Sequence, residues 1–315
     1  MAKTILITGG AGFIGSHLAK KLIGSGWQVV IVDRLGEQAS QLKKDRLEKF
    51  LNPADYIFYD REMTDLSELK KIFSRYQFDV ICHLAAITNL EPDSEIYNKM
   101  NILGTISVFE AAKNFKVPKV VFASSSMVYG ASAKQPFSEA DSTDRPLSLY
   151  AATKKADEVL AYTYHYLYGI KMVGLRFFTA YGPWSRLNMS INRFTENIIN
   201  GQPITVHNAG KIKRDYVYVD DLVNGIAAAL TKDLAYEIIN LGSGQAVELN
   251  QVIGLIEARL GRQAEKKIVP MQPGDLAATW ADITKAEKLL SFKPQISLEQ
   301  GINKFIGWYK KYHKI

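Results

Sequence analysis

The sequence has little cysteine: Cys82 is the single one among 315 residues. One cysteine excludes a disulfide framework and any metal site built from several cysteines. Cys82 lies in the apolar run 79–84, which predicts a buried thiol in a reducing compartment. We therefore expect a cytoplasmic protein that binds no metal.

Long hydrophobic runs are also missing. No apolar stretch approaches the roughly 20 residues that span a bilayer. Near the start, only three apolar residues (5–7) precede Thr8-Gly9-Gly10, too few for the core of a signal peptide. Internal repeats and low-complexity tracts are absent as well. These absences argue against secreted, membrane-bound and disordered proteins.

The charge balance is only moderately basic, with 39 Lys and Arg against 32 Asp and Glu and a net charge of +7. The lysines are scattered in pairs, such as Lys43-Lys44 and Lys310-Lys311, instead of forming one cluster. Scattered charge is typical of solvated helix faces. We expect neither a nucleic acid nor a membrane as partner.

Short β-branched runs alternate with helix-length amphipathic segments through the first half of the chain. This alternation predicts an α/β fold, a Rossmann doubly wound parallel sheet with helices on both faces. The predicted strands are 5–8, 28–33, 56–59, 79–84, 120–124 and 172–177, and the predicted helices are 13–25, 66–75, 94–114 and 150–168.

From about Thr179 the alternation loosens into turn clusters with helices near 192–200, 249–260 and 298–311. This second part predicts a smaller C-terminal α+β lobe that binds substrate. We expect residues 1–178 to form the first domain and residues 179–315 the second. A segment near 215–245 is expected to return to the first domain.

A glycine-rich segment, 8–15, follows the first predicted strand and opens the first helix. Gly9 permits a tight turn, Gly12 lets the backbone approach a pyrophosphate, and Gly15 allows close packing of helix on strand. The helix N-terminus offers unpaired N–H groups and a positive dipole end to phosphates. The pattern predicts a dinucleotide site.

An acidic residue, Asp33, ends the second strand, at about the 20-residue distance that ribose-binding carboxylates have from such loops. A carboxylate there accepts hydrogen bonds from the adenosine ribose and repels a 2′-phosphate, which favours NAD over NADP. The alternative rests on Arg34, since an arginine pairs with that phosphate.

Tyr150 and Lys154 lie one helical turn apart at the start of a predicted helix, so their side chains share one face. An ammonium group beside a tyrosine stabilises the phenolate and makes it a usable base near neutral pH. Ser124-Ser125-Ser126 ends the fifth strand, and ligands bind at the carboxyl ends of strands in such sheets.

These motifs together resemble the extended short-chain dehydrogenase/reductase family. The second half is most similar to nucleotide-sugar 4-epimerases, and among them to UDP-glucuronate 4-epimerases. The segments that support the resemblance are TGGAGFIGSHL at 8–18, LYAATKKAD at 149–157, LRFFTAYGPWSR at 175–186, KIKRDYVYVDD at 211–221 and QPGDLAATWAD at 272–282.

The resemblance implies roles for individual residues. It implies the catalytic triad Ser125, Tyr150 and Lys154. The cofactor-binding residues that it implies are Gly9, Gly12, Phe13, Ile14, Gly15, Asp33, Arg34, Asp60, Arg61, Leu84, Ala85, Ala86, Asn101, Tyr150 and Lys154. The substrate-binding residues that it implies are Ser125, Ser126, Thr179, Arg186, Asn188, Arg214 and Asp275. It further implies a homodimer formed through paired helices.

The implied reaction is the inversion of C4 of a UDP-sugar by NAD through a 4-keto intermediate, with UDP-glucuronate and UDP-galacturonate as the leading pair. A neutral-sugar 4-epimerase stays open, because segment 87–91 lacks an arginine that many uronate epimerases carry and Met127 replaces a frequent hydroxyl. A nucleotide-sugar reductase or dehydrogenase and a non-catalytic NAD-binding module are further alternatives. The serine segment lacks an acidic residue, which argues against dehydration and decarboxylation.

Overall fold

The computed structural model describes residues 2–35, 41–88, 94–132, 134–271 and 276–315. Its strands are β1 (Thr4–Thr8), β2 (Gln28–Asp33), β3 (Tyr56–Asp60), β4 (Val80–His83), β5 (Lys119–Ser125), β6 (Lys171–Phe177), β7 (Thr179–Tyr181), β8 (Ile204–His207), β9 (Lys213–Arg214), β10 (Tyr216–Tyr218), β11 (Tyr236–Leu241), β12 (Val247–Glu248), β13 (Lys266–Val269) and β14 (Ala278–Thr279).

Its helices are α1 (Phe13–Gly24), α2 (Gln41–Asp45), α3 (Leu66–Phe73), α4 (Ser94–Tyr97), α5 (Gly104–Asn114), α6 (Leu149–Tyr168), α7 (Ser190–Ile199), α8 (Val219–Thr231), α9 (Leu249–Leu260), α10 (Thr284–Leu290) and α11 (Leu298–His313). The predicted helix 94–114 is divided, since a π-helical stretch, Asn98–Leu103, joins α4 to α5.

The central sheet has seven strands in the order β11-β6-β5-β4-β1-β2-β3, and the neighbours pair in parallel. The strand order reverses between β1 and β4. In open α/β sheets, the crevice at the carboxyl ends of the strands on either side of such a reversal binds the ligand. The predicted α/β doubly wound fold is confirmed.

Both faces of this sheet are buried, which explains why the strands read as continuous apolar runs. Alternate residues of β1 face opposite sides: Ile5 belongs to one apolar cluster and Leu6 to the other. Leu18 of α1 and Leu222 of α8 cover the first face, and Phe109 of α5 is part of the second.

The second half of the chain adds small sheets with the orders β12-β9-β14, β10-β7 and β13-β8. Residues 236–241, which lie inside the segment expected to return to the first domain, form β11 and pair with β6. This strand is missing from those that the sequence analysis predicts. The division of the chain at residue 178 stays a prediction.

Candidate active site

The glycine loop after β1 packs so tightly that side chains do not fit in it. Gly9 has a φ of +72°, and a Cβ there would lie 2.7 Å from the backbone nitrogen of Ala85. A Cβ at Gly15 would overlap the carbonyl oxygen of Gly9. Phe13 and Ile14 form the first turn of α1 just behind the loop. Because glycines leave the backbone of this loop free of side chains, the loop suits the close approach of a dinucleotide phosphate group.

Asp33, at the end of β2, is held against this loop. Its Oδ2 accepts a hydrogen bond from the backbone N–H of Ala11 at 2.9 Å. Its Oδ1 accepts from the backbone N–H of Arg34 at 2.7 Å and from Nζ of Lys43 at 2.5 Å. The carboxylate thus lies where the adenosine ribose of a dinucleotide is expected.

The cation that faces Asp33 is Lys43, and not Arg34. The Arg34 side chain is 60% exposed, and its Nη1 lies 3.4 Å from the carboxylate of Glu62. Sequence reasoning missed Lys43, which is ten positions further along on α2.

The residues after β4 lie directly beside the glycine loop. The backbone N–H of Leu84 donates to the carbonyl oxygen of Thr8 at 3.1 Å, and that of Ala85 donates to the Thr8 hydroxyl at 3.3 Å. Ala86 follows in the same partly buried stretch. These contacts place the three predicted residues at the sheet's switch point.

Three other predicted cofactor residues make internal contacts. The fully buried amide of Asn101 bonds to both backbone groups of Ile87 and to the hydroxyl of Thr153, so it braces the loop after β4 against α6. Asp60 accepts from the backbone N–H of Leu35 at 2.9 Å. The guanidinium of Arg61 lies 2.9 Å from Glu68. A direct role for them in binding the cofactor stays a prediction.

The serines that end β5 face in different directions. The hydroxyl of Ser124 donates to Glu158 at 2.6 Å and is buried inside the protein. The hydroxyl of Ser125 accepts from the backbone N–H of Met127 at 3.2 Å, which leaves its own proton available for a ligand. Ser126 follows as a partly buried residue. Ser125 thus has a hydroxyl proton that Met127 does not use, and its place in the catalytic triad stays a prediction.

Tyr150 and Lys154 lie in the first turns of α6, whose first turn is capped by the hydroxyl of Ser148. Tyr150 is partly exposed, whereas Lys154 is buried with its Nζ 3.0 Å from Oδ2 of Asp157. Burial is the largest single effect and lowers the pKa of Lys154, but the charges of Asp157, Tyr150 and Glu158 together outweigh it. The pKa of the lysine is therefore raised, and it stays charged.

Arg186 reaches the same region from the loop after β7. Its Nη1 donates a hydrogen bond to the hydroxyl of Thr88, which belongs to the segment that lacks an arginine. Desolvation lowers the pKa of Arg186, and its electrostatic interaction with Tyr150 opposes this effect. Arg186 therefore lies within electrostatic range of the predicted catalytic tyrosine.

The remaining predicted substrate residues lie in the second half of the chain. The backbone N–H of Thr179 donates to the carbonyl oxygen of Asp215 at 3.0 Å. The guanidinium of Arg214 donates to the carbonyl oxygen of Leu276 at 2.8 Å, and Asn188 is exposed on the loop after Arg186. Asp275 lies outside the described residues.

Arg46 is a residue that sequence reasoning missed. Its guanidinium donates to the carbonyl oxygen of Ala11 at 3.2 Å and to that of Trp184 at 3.0 and 2.7 Å. Burial, followed by the charge of Arg186, lowers its pKa to about 10, so it stays charged at neutral pH. One buried cation thus connects the glycine loop to the loop that carries Arg186.

His83 is a buried histidine with both ring nitrogens in hydrogen bonds, to Thr8 at 2.7 Å and to Thr105 at 3.0 Å. Burial, followed by the charge of Lys154, lowers its pKa to about 3. Within the described ranges, no group of three or more His, Cys, Asp or Glu side chains is arranged to hold a metal ion. No helix in the described part of the chain has the length and apolarity to cross a membrane.

Comparisons with known proteins agree with this geometry. Residues 5–242 match the model of the NAD dependent epimerase/dehydratase family. A UDP-glucuronate 4-epimerase of Thermodesulfobacterium geofontis is 41% identical to this chain over 311 residues, covering 97% of this chain and 96% of the relative.

Two solved structures are similar over nearly their whole length. UDP-glucuronic acid 4-epimerase from Bacillus cereus, in complex with UDP-glucuronic acid and NAD, has a TM-score of 0.91 at 34% identity and covers 98% of this chain and 99% of its own. UDP-glucose 4-epimerase from Thermotoga maritima, with UDP-glucose, has a TM-score of 0.89 at 30% identity with the same coverage.

The contacts of Asp33 generate a prediction about cofactor choice. Asp33→Ala should weaken NADH binding and reduce the preference over NADPH, because it removes both the ribose acceptor and the charge that repels a 2′-phosphate. Fluorescence titration of the protein freed of nucleotide gives both dissociation constants. Arg34→Ala is the matched control and should leave their ratio unchanged, since that guanidinium faces Glu62. A ratio that responds to Arg34→Ala and not to Asp33→Ala would refute this assignment.

Proposed function

The chain belongs to the NAD dependent epimerase/dehydratase family, and we propose that it inverts C4 of a UDP-sugar through a 4-keto intermediate, with UDP-glucuronate and UDP-galacturonate as its substrate pair. The observation that supports this most is the placement of Tyr150 within electrostatic range of the buried, charged Lys154 in the first turns of α6. The resemblance to nucleotide-sugar 4-epimerases that the motifs indicate is confirmed by the relatives, and so is NAD as the family's cofactor.

The glycine loop and Asp33 are the groups that would hold the dinucleotide, through its phosphates and its adenosine ribose. Bound NAD would supply the acceptor for the C4 hydride and the donor that returns it to the opposite face of the 4-keto sugar. Because the cofactor is regenerated in every turnover, the protein should retain it between substrates.

Tyr150 serves as the general base that takes the proton of the sugar 4-hydroxyl and later returns it. Lys154 supplies the positive charge that stabilises the phenolate. Ser125 donates a hydrogen bond to the reacting oxygen, since its hydroxyl proton is not used by Met127. These three residues hold or move protons, and each acts from a rigid strand end or helix.

Arg186 is the residue that would bind the substrate carboxylate. A uronate adds a negative charge beside C5, and a guanidinium held by Thr88 near Tyr150 matches it. The hydroxyls of Thr179 and Ser126 are additional donors in this assignment. The uronate substrate is thus favoured over a neutral sugar.

The nucleotide half of the substrate is assigned to the second lobe. Arg214 pairs with the diphosphate, Asn188 lies near it, and Asp275 lies near the nucleotide ribose. In support, Arg214 lies on β9, which pairs with β14 and thus with the chain just after residues 272–275. The buried free thiol of Cys82 supports a cytoplasmic location.

We also propose a homodimer formed by the α4–α5 region and α6. These helices expose large apolar side chains that a monomer rarely shows together. The exposed residues are Leu103, Val159, Tyr162, Tyr166 and Leu167. Tyr162 and Tyr166 stack on each other at 6.4 Å, which makes one continuous patch on α6.

Tyr150→Phe should lower turnover at least about a hundredfold, because it removes the general base and leaves the ring in place. Nuclear magnetic resonance (NMR) detection of the C4 epimer measures turnover, and the NAD released on denaturation shows whether cofactor binding persists. Tyr168→Phe, in the last turn of the same helix, is the matched control. Turnover that survives Tyr150→Phe would refute the mechanism.

Arg186→Ala tests the choice of sugar. The change should raise the activation free energy for UDP-glucuronate, measured through kcat/KM, by about 2–5 kcal/mol, the cost of removing one partner of a charge pair that the bound substrate desolvates. UDP-glucose has no carboxylate and should be nearly unaffected. Arg193→Ala, an exposed arginine on α7, is the control. Equal losses for both sugars, or a wild-type preference for UDP-glucose, would assign the protein to the neutral-sugar 4-epimerases.

Light scattering after gel filtration tests the dimer. The wild-type protein should have about twice the 35.3 kDa mass of one chain. Tyr166→Glu should produce monomers, because it places a charge in the middle of the apolar patch. Lys311→Glu, on α11 and outside the patch, should leave the mass unchanged. A monomeric wild-type protein would contradict the proposed assembly.

A further inference from the structure

Asp157 is a buried carboxylate that the mechanism above does not use. It lies one helical turn after Lys154 on α6, and each of the two residues is 1% exposed. Its Oδ2 is 3.0 Å from Nζ of Lys154. Among the residues that the structure describes, no other carboxylate pairs with this ammonium group.

The groups around this pair come from three elements. Tyr150 and Glu158 face it from α6, the hydroxyl of Thr105 from α5, and His83 from β4 behind Thr105. Glu158 is already neutralised by Arg176, whose Nε and Nη2 each lie 2.8 Å from its carboxylate.

His83 is neutral, as its lowered pKa shows. The pKa of Asp157 is raised, because burial, the largest effect, outweighs the opposing effects of Lys154 and Thr105. Among the described residues, Oδ1 of Asp157 is buried without a hydrogen-bond partner, and Oδ2 accepts from Lys154.

A buried ammonium group such as that of Lys154 needs a nearby negative charge to remain protonated. Without one, burial lowers the pKa of a lysine, by up to several units for a fully buried group, and so favours the neutral amine. Asp157 is the largest of the charges that oppose this effect at Lys154, ahead of Tyr150 and Glu158. A short tether from the same helix also restricts where the ammonium lies, since both side chains project from one face.

We propose that Asp157 is a positioning residue that tethers Lys154 beside Tyr150 and keeps its ammonium group charged inside the closed site. The consequence for turnover rests on the proposed function, whereas the tether itself does not. Asp157 touches neither substrate nor cofactor in this proposal and acts only through the lysine.

The sign of the effect follows from the charge. Removing a negative charge makes protons easier to lose from every titratable group nearby. Tyr150 must lose its proton for activity, and Lys154 must keep its own. Both limbs of the pH–rate profile should therefore move in the same direction, to lower pH.

The test is Asp157→Asn, which keeps the shape of the side chain and removes its charge. The pH–rate profile of epimerisation should move about one unit lower, the scale of one partly screened charge. Asp221→Asn is the matched control, because Asp221 is a 3% exposed carboxylate that accepts from the backbone N–H of Ile296 and forms no ion pair with any of the residues that the structure describes. In Asp221→Asn the pH–rate profile should stay at its wild-type position, whatever the variant's stability.

A second measurement needs no sugar. NMR titration of the protein labelled with ¹³C in the lysine ε position follows Lys154 directly, with the signal assigned by its loss in Lys154→Met. In the wild type the pKa of Lys154 should lie above the ordinary lysine value of about 10.4. In Asp157→Asn it should be at least one unit lower than in the wild type. If Asp157→Asn does not fold, the wild-type titration decides, and a wild-type value below the ordinary one overturns the proposal.

The two measurements separate the possible failures. A wild-type protein that epimerises no sugar refutes the proposed function, while the lysine titration still tests the tether. Normal epimerisation with an unshifted profile and an unshifted Lys154 titration in Asp157→Asn refutes the tether alone.

Discussion

The buried ion pair between Glu158 and Arg176 holds α6 on the central sheet, and the geometry of the site depends on this contact. Two parallel hydrogen bonds of 2.8 Å join the side chains, and Ser124 adds a third at 2.6 Å. Arg176 belongs to β6 and Ser124 to β5, so one carboxylate connects the helix to two neighbouring strands. Losing one partner of such a buried pair typically costs about 3–5 kcal/mol.

The same ion pair extends to the edge of the sheet. The guanidinium of Arg176 lies over the ring of Tyr129 at 4.7 Å, and the Tyr129 hydroxyl donates to Asn240 of β11 at 2.7 Å. Because Tyr150 and Lys154 are on the anchored helix, their position relative to the strand ends is set by these contacts. Adjacent carboxylates of α6 thus have different tasks: Glu158 orients the helix, and Asp157 holds the lysine.

Much of the fold could be predicted from the sequence, because buried parallel strands form continuous apolar runs that are visible locally. β11 was missed because its partner β6 precedes it by some sixty residues and its residues 236–238 are only partly buried. The glycine loop and the Tyr150–Lys154 spacing are local patterns as well. The substrate residues depended on resemblance, since no local spacing identifies Arg214 or Asn188.

The contacts that sequence reasoning missed are long-range. Arg46 joins the carbonyl oxygens of Ala11 and Trp184, which are separated by more than half of the chain. Arg186 likewise donates to the hydroxyl of Thr88, although 98 positions separate the two residues. These long-range hydrogen bonds depend on how the loops pack in the folded chain, and no periodicity in the sequence predicts them.

The central claim is that bound NAD is used and regenerated within each turnover. Purified protein should be mixed with UDP-glucuronate without added cofactor, and the sugar signals should be followed by proton NMR while absorbance is recorded at 340 nm. The account predicts a mixture of UDP-glucuronate and UDP-galacturonate that is reached from either sugar, with no steady change in absorbance. Steady accumulation of NADH, or no C4 epimer from any UDP-sugar, would contradict it.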